Sequence, residues 1–254
     1  MIDLHSHLLP AVDDGVRTVE RAVQVLGQMA GRGVTEVCLT PHLEASRAEQ
    51  GIPASHDDAY ARLVGAAPAQ VRLHRGVELM LDRPFPPAAA ADRRLTLGAS
   101  RYILVEFTRL VSPLAATNAL AHVASLGLVP VLAHPERYAC TTPGLAGQWK
   151  AGGAVMQVDA NTLFARHRRG ERARALVAAG LADILAADNH GDTRMVTEPY
   201  LHLCEMGGED QADLLLRRNP GAILADAKAL EAVPPLQFRT SLLDRLRQLL
   251  DQEE

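Results

Sequence analysis

Short apolar segments rich in Val, Ile and Leu alternate with longer segments of helical period along this chain. The short segments have the length of buried strands, and the longer ones carry apolar residues three and four positions apart. The pattern predicts strands at 1–4, 35–40, 71–79, 102–107, 128–134, 154–160 and 183–188. Strands and helices that alternate in this way predict an α/β fold with a parallel sheet.

The segment after the first strand illustrates how a helix is predicted. Its apolar stripe consists of Val19, Ala22, Val23, Leu26 and Met29. Thr18 precedes the stripe and can cap the helix, while Gly31 and Gly33 end it. A second stripe predicts an amphipathic C-terminal helix over about 240–252, which either packs on its own domain or forms a homo-oligomer contact.

Length and composition bound the class of protein. With 254 residues and 27.3 kDa, the chain 1–254 is predicted to form one domain. A net charge of -4 gives no global attraction to nucleic acid, and no apolar run reaches the roughly 20 residues of a membrane span. Three separated cysteines (Cys38, Cys140, Cys204) and the absence of a signal-peptide pattern predict a reducing, cytoplasmic location.

Histidine and acidic residues concentrate where the predicted strands end. The candidates are His5, His7, Asp14, His42, Glu78, Glu106, His134, Asp188 and His190. Because the carboxyl ends of strands in a parallel barrel open on one face, we expect these side chains to converge. His5 and His7 lie two residues apart, so their side chains point the same way from a strand and can hold one ion together.

This donor set favours transition metals. Imidazoles mixed with carboxylates suit Mn, Fe or Zn better than Ca or Mg, and nine donors fit two or three divalent ions better than one. Clustered ions generate hydroxide near neutral pH and stabilise the attacking and leaving oxygens of phosphoester hydrolysis. Alternatives remain for two candidates, since His134 can be a hydrogen-bonded strand-end residue and Asp14, with Asp13 and Gly15, can form a turn.

Arginines follow two of the predicted strands on the same side. Arg137 comes three residues after His134 and can bind phosphate oxygens bidentately, or it is a surface residue at a helix start. The basic run 165–174 is either a solvated helix start or a docking patch for an acidic, multiply phosphorylated peptide. The docking candidates in this run are Arg166, Arg168 and Arg169.

Seven short motifs occur in order: HSH, DDG, TPH, GVEL, VEF, AHPERY and ADNH. With them the chain, from 1 to about 220, resembles the polymerase and histidinol phosphatase (PHP) superfamily, and within it the bacterial PHP-type protein tyrosine phosphatases of capsule and exopolysaccharide gene clusters. The resemblance implies a distorted (β/α)7 TIM-like barrel with a trinuclear metal centre, commonly manganese. It also implies that the nine candidates are the ligands, that Arg137 is the phosphate-binding catalytic arginine, and that the substrate is a phosphorylated tyrosine autokinase.

For this chemistry we expect a metal-bound hydroxide to attack phosphorus while the ions and Arg137 bind the nonbridging oxygens. A tyrosinate leaving group has a pKa of about 10, so it needs less help from a general acid than a serine alkoxide does. His42 and Asp188 are the candidates for protonating it.

Other hydrolase classes fit the sequence less well. A cysteine-dependent tyrosine phosphatase has Arg six residues after its nucleophile, whereas Glu44, Ala146 and Asp210 hold those positions here. Amidohydrolases with an HxH motif often carry a carboxylated lysine at the fourth strand, where this chain has Glu106. Two alternatives stay open: a histidinol phosphate or other small-molecule phosphatase of the superfamily, and a non-catalytic, metal-stabilised interaction module.

Overall fold

The computed structural model describes residues 1–238 as an α/β fold. The strands are β1 (Ile2–Asp3), β2 (Glu36–Leu39), β3 (His42–Glu44), β4 (Arg72–Arg75), β5 (Glu78–Met80), β6 (Tyr102–Glu106), β7 (Val129–Ala133), β8 (Val155–Asp159) and β9 (Ile184–Ala186). The helices are α1 (Val19–Gly31), α2 (Ala45–Ala48), α3 (Ala54–Ala66), α4 (Pro113–Ser125), α5 (Pro143–Ala151), α6 (Arg168–Ala178), α7 (Thr197–Glu205), α8 (Glu209–Asp213) and α9 (Asn219–Leu224), with a π-helical segment (Leu214–Arg218) before α9. Each predicted strand segment contains a strand, which confirms that prediction.

The strands form two parallel sheets. One has the order β1-β2-β4 and the other the order β3-β5-β6-β7-β8-β9. The chain enters the second sheet at β3, returns to the first at β4 and enters the second again at β5, so the predicted strand 71–79 is divided. Gly76 lies at this break, where an added Cβ would come within 3.1 Å of Cys38 Sγ and 3.3 Å of Thr40 Cγ2. A side chain here would therefore force these neighbours to shift by a few tenths of an ångström.

Hydrogen bonds also join the chain after β1 to the chain after β9. Ser6 and Asn189 form a parallel bridge, and the His7 amide donates to the Asn189 carbonyl over 2.8 Å. The Asp188 amide donates to the His5 carbonyl over 3.0 Å. The carboxyl ends of the first and last strands are therefore neighbours, and both deliver polar side chains to the same place.

Helix α1 shows how an apolar stripe becomes part of the core. The Thr18 hydroxyl accepts a hydrogen bond from the Arg21 amide over 3.2 Å and caps the helix as predicted. The buried residues of the helix are Ala22, Val25, Leu26 and Met29. Val25 is thus buried, whereas Val23 of the predicted stripe is only partly buried. Each fully buried side chain of this kind stabilises the fold by roughly 1.5–3 kcal/mol.

The end of the chain bears on two further predictions. The predicted helix at about 240–252 lies outside the described residues. The segment before it packs on the domain with Val233 and Leu236 buried. Within residues 1–238, no helix combines the length and the apolar character needed to cross a membrane.

Candidate metal centre

The polar residues at the strand ends form one cluster, and all nine metal-ligand candidates lie in it. Its four overlapping groups, each with donor atoms within 4.8 Å of one another, are His7, Asp14, His42 and His190; His5, Glu78 and His134; His5, His7 and Asp188; and His42, Glu78 and Glu106. We call these nine residues the strand-end cluster. These side chains thus converge as expected for parallel strands. Most of them follow or end a strand, but His42 and Glu78 open β3 and β5, where the chain continues from β2 and β4 into the second sheet.

The buried part of the strand-end cluster is organised around Glu78 and Asp188. Glu78 Oε2 lies 3.3 Å from Nε2 of both His5 and His7, and Glu78 Oε1 lies 2.7 Å from His134 Nε2. Asp188 Oδ1 lies 3.3 Å from the same two Nε2 atoms of His5 and His7. Because all of these side chains are almost fully buried, their donor atoms face one another away from bulk water.

The outer part of the cluster opens to solvent. His42 Nδ1 lies 3.1 Å from Glu78 Oε2 and 3.1 Å from Glu106 Oε1. On the other edge of its ring, His42 Nε2 lies 3.5 Å from Asp14 Oδ1, and that oxygen lies 3.4 Å from His190 Nε2. The Asp14 side chain is 65% exposed and that of His42 37%. A substrate can therefore reach the cluster from this side.

The structure distinguishes the adjacent carboxylates of Asp13 and Asp14. Asp13 Oδ2 is hydrogen-bonded to His7 Nδ1 over 2.7 Å, and Asp13 Oδ1 accepts from the Gly15 amide over 2.9 Å. Burial opposes ionisation of Asp13, but the bond to His7 prevails and lowers its pKa to about 2. Asp13 thus orients a histidine of the cluster, whereas Asp14 faces the ring of His42.

Two members of the cluster have a left-handed backbone. His134 has φ 35° and Asp188 has φ 51°, a conformation that costs a residue other than glycine about 1–3 kcal/mol. They follow β7 and β9 closely. The left-handed residue therefore ends the alternating side-chain pattern of each strand, and its own side chain enters the cluster. Strain of this kind is typical of functional sites.

The cluster keeps its buried carboxylates ionised. Burial raises the pKa of Glu78, but the neighbouring imidazoles, first of all His5, hold that pKa well below its usual range. Burial also opposes ionisation of Asp188, whose pKa is nevertheless lowered, first by His5 and then by His7. Two buried carboxylates that stay ionised require positive charge beside them.

The buried donor atoms are better arranged to bind a divalent cation than to hydrogen-bond with one another. In the neutral rings that would bind a metal the proton lies on Nδ1, because His5 Nδ1 faces Gln157 Oε1 at 2.9 Å and His7 Nδ1 faces Asp13 at 2.7 Å. The two Nε2 atoms then present lone pairs to each other across 3.2 Å. Asp188 Oδ1 lies 3.3 Å from both and is buried without a hydrogen-bond partner among residues 1–238. Three lone-pair atoms directed at one point are the arrangement of a cation site.

Two arginines border the strand-end cluster. Arg137 follows β7 and is hydrogen-bonded through Nη2 to Asp188 Oδ2. Arg194, which sequence analysis misses, has Nη1 3.5 Å from Asp188 Oδ2 and Nη2 3.0 Å from His190 Nδ1. The signal that could have found it is its position four residues after His190, the last residue of the ADNH motif.

The three predicted docking arginines divide between two environments. Arg168 and Arg169, at the start of α6, line an open cavity that also reaches Arg137. Arg166 is exposed and is not among the residues that line this cavity.

The chain matches, over residues 1–225, the family model described as "Capsular polysaccharide synthesis, CpsB/CapC". The chain belongs to this family. The match includes every residue of the strand-end cluster and both bordering arginines. The predicted resemblance to phosphatases of capsule gene clusters is confirmed at this level.

Relatives of this CpsB/CapC chain include named phosphatases. The tyrosine-protein phosphatase YwqE of Bacillus subtilis is 28% identical over 237 residues, which cover 85% of this chain and 92% of YwqE. The tyrosine-protein phosphatase CpsB of Streptococcus agalactiae is 26% identical over 242 residues, which cover 88% of this chain and 98% of that protein.

A solved structure is also similar to this CpsB/CapC chain. It is described as "Crystal structures of YwqE from Bacillus subtilis and CpsB from Streptococcus pneumoniae, unique metal-dependent tyrosine phosphatases". The two chains align with a TM-score of 0.76 at 25% identity, covering 94% of this chain and 100% of the other. The α/β fold with parallel sheets is therefore shared across nearly the whole length.

Proposed function

We propose that this chain is a metal-dependent protein tyrosine phosphatase. The observation that carries the proposal is the Asp188 carboxylate, whose Oδ1 faces Nε2 of His5 and His7 while its Oδ2 accepts from Arg137. A cation site and a guanidinium that share one carboxylate suit a phosphate, which needs positive charge at several oxygens. The similarity to solved metal-dependent tyrosine phosphatases supports the same activity.

Two or three divalent ions match the number and chemistry of the donors. The proposed ligands are His5, His7, Asp14, His42, Glu78, Glu106, His134, Asp188 and His190. Manganese is the first expectation, with iron and zinc next, because imidazoles are mixed with carboxylates. When bound, such ions supply a nucleophile from water near neutral pH and offset charge on the phosphoryl oxygens.

The bordering arginines bind and orient the phosphate. Arg137 Nε is buried and finds no hydrogen-bond partner in the described part of the chain, while the Arg137 side chain is 25% exposed at the edge of the cluster. Its planar fork suits two phosphoryl oxygens at once. Arg194 approaches the same Asp188 carboxylate and adds a second guanidinium at that edge.

The leaving tyrosinate places a small demand on acid catalysis, since its pKa is about 10. His42 lies on the open side of the cluster and is one candidate for delivering the proton. Asp188 is the other candidate, although its bonds to cationic partners favour the ionised form.

We further propose that the two sheets form the distorted (β/α)7 barrel of one domain that spans 1–254. The bridge between Ser6 and Asn189, which joins the first and last strands, supports this closure. The Thr40 amide donates to the Ser6 carbonyl over 2.9 Å and connects the next strand on the other side.

The substrate we propose is a phosphorylated tyrosine autokinase that regulates capsule or exopolysaccharide synthesis. The family description supports the link to capsule synthesis, and the relatives named tyrosine-protein phosphatase support a phosphotyrosine protein as substrate. The autokinase itself is what the resemblance of the motifs implies. The cysteines Cys38, Cys140 and Cys204 are free, in keeping with the cytoplasm as its location. The predicted C-terminal helix remains the candidate contact for a homo-oligomer.

The test is phosphate release by the manganese-loaded protein from a phosphotyrosyl peptide and from histidinol phosphate, measured side by side. We expect kcat/KM to be at least about tenfold higher for the peptide. A preference for histidinol phosphate would instead assign a small-molecule phosphatase. Release from neither substrate, with metal demonstrably bound, would favour a non-catalytic interaction module.

A further inference from the structure

An open cavity of about 860 Å³ adjoins the strand-end cluster and is rich in guanidinium groups. The arginines that line it are Arg109, Arg137, Arg168, Arg169 and Arg172. His167 and the carboxylate of Glu171 also belong to its lining. We call this space the arginine cavity. Hydrolysis of one phosphate by the strand-end cluster and its bordering arginines uses only Arg137 of this set.

The arginine cavity is continuous with the reaction site. A smaller cavity of about 370 Å³ is lined by Glu106 and His134 of the strand-end cluster. The arginines that line both cavities are Arg109, Arg137 and Arg169. A group held among these arginines therefore lies next to a phosphate held at the cluster.

The charge of the arginine cavity is poorly neutralised. In the described part of the chain, Arg109, Arg168 and Arg169 have no carboxylate oxygen within 4.0 Å, whereas an arginine such as Arg75 pairs with an aspartate. Burial, followed by the nearby guanidinium of Arg137 and then that of Arg109, lowers the pKa of Arg169. Like charges held this close together attract an anion.

Two further features make this a built site instead of a loose group of surface arginines. Helix α6 begins here at Arg168, and His167 before it provides no side-chain cap, so the first amides of an 11-residue helix are left for an anion. Arg172 is anchored, since its Nη1 donates to the Tyr138 carbonyl over 2.6 Å. Its Nε is buried, and none of the described residues provides a hydrogen-bond partner for it.

We propose that the arginine cavity is an anion subsite that binds a second phosphate of the same substrate, carried by a phosphotyrosine close to the one being hydrolysed. This inference rests on the proposed phosphatase function. A phosphate offers three oxygens with nearly two negative charges, which match several guanidinium forks better than one carboxylate does. An extended peptide advances about 3.3 Å per residue, so a neighbour two to four residues away lies about 7–13 Å along the peptide, and the two cavities that would receive the phosphates share three lining arginines.

The experiment compares a peptide with two phosphotyrosines to the same peptide with one phosphotyrosine and one tyrosine, using manganese-loaded protein. We expect kcat/KM to be about tenfold higher for the doubly phosphorylated peptide. Arg168→Gln should lower kcat/KM about fivefold for that peptide and less than about twofold for the other. Arg166→Gln is the matched control, because it removes the same charge from the same segment outside the cavity.

The opposite results would contradict the proposed anion subsite and leave the proposed phosphatase function unaffected. Equal kcat/KM for both peptides, or an Arg166→Gln effect as large as that of Arg168→Gln, would contradict it while hydrolysis continues. Affinity for non-hydrolysable phosphonate versions of both peptides tests it separately from turnover, and a tighter complex with the bis-phosphonate is expected. If Arg168→Gln weakened only inhibition by inorganic phosphate, the cavity would hold released product, and the second-phosphotyrosine assignment would be wrong.

Discussion

The strand-end cluster and the arginine cavity adjoin each other, but they are built differently. The cluster takes its donors from the ends of parallel strands, buries six of the nine residues and fixes them by mutual contacts such as that of His134 with Glu78. The arginine cavity takes its donors from the start of α6 and from loops, and Arg109 and Arg168 in it are exposed. Groups that act on the reacting atoms need fixed geometry, whereas a second anion can be held by side chains that are in part exposed.

The two regions should therefore respond differently to substitution. Changes in the strand-end cluster should affect every substrate and the binding of metal. Changes in the arginine cavity should affect only substrates that carry a second anion.

The largest effect is expected for His5→Asn, because His5 Nε2 belongs to two of the four donor groups. We expect kcat for the phosphotyrosyl peptide to fall more than about a thousandfold while the circular dichroism spectrum is kept. His74→Asn is the matched control, since His74 pairs with Glu36 outside the cluster, and its kcat should stay within about twofold. Similar losses in both variants would point to a folding defect instead.

Arg137→Lys should lower kcat by about a hundredfold for singly and doubly phosphorylated peptides alike. Lysine keeps the charge but loses the planar fork that suits two phosphoryl oxygens. Arg101→Lys, at a surface pair with Asp226, provides the control and should leave kcat unchanged. A loss confined to the doubly phosphorylated peptide would move Arg137 from the reaction to the second subsite.

Asp13→Asn should weaken manganese binding by about 10–100-fold, because Asp13 orients His7 through Nδ1 while the proposed cation lies on the Nε2 side of the ring. Metal titration followed by phosphate release measures this, and saturating manganese should restore most of the activity. If excess metal restores nothing, Asp13 does more than orient the imidazole.

Alanine substitutions at two glycines should distinguish the strand-end cluster from the arginine cavity, with smaller effects on turnover than the changes above. A Cβ at Gly15 would overlap the His7 carbonyl oxygen, and one at Gly170 would overlap that of Ala165. Gly15→Ala should reduce turnover of all substrates severalfold, whereas Gly170→Ala should reduce only the preference for the doubly phosphorylated peptide.

Gly27→Ala, at an exposed position of helix α1 where an added Cβ meets no atom within 4 Å, should instead raise the free energy of unfolding by about 0.5–1 kcal/mol, measured by thermal unfolding.

Local sequence signals predicted the strands and the members of the strand-end cluster well. Strand periodicity places His5 after the first strand and Glu106 at the end of the fourth, and parallel strands must bring such ends together. The same signals could not separate Asp13 from Asp14, because the choice depends on which oxygen reaches His7 in three dimensions.

The break of the predicted strand 71–79 at Gly76 also depends on long-range packing, here against Cys38. Arg194 was missed because a single arginine after a motif resembles any surface residue. The arginine cavity was predicted only in part, since Arg109 comes from a distant loop that no local pattern connects with α6.

Removal and readdition of metal tests the proposed reaction most directly. Phosphate release from a phosphotyrosyl peptide is measured after chelation and dialysis, and again after addition of manganese, iron or zinc. We expect activity to disappear in the metal-free protein and to return with at least one of these ions, most strongly with manganese. Undiminished hydrolysis by protein shown to be metal-free would contradict the metal-dependent mechanism.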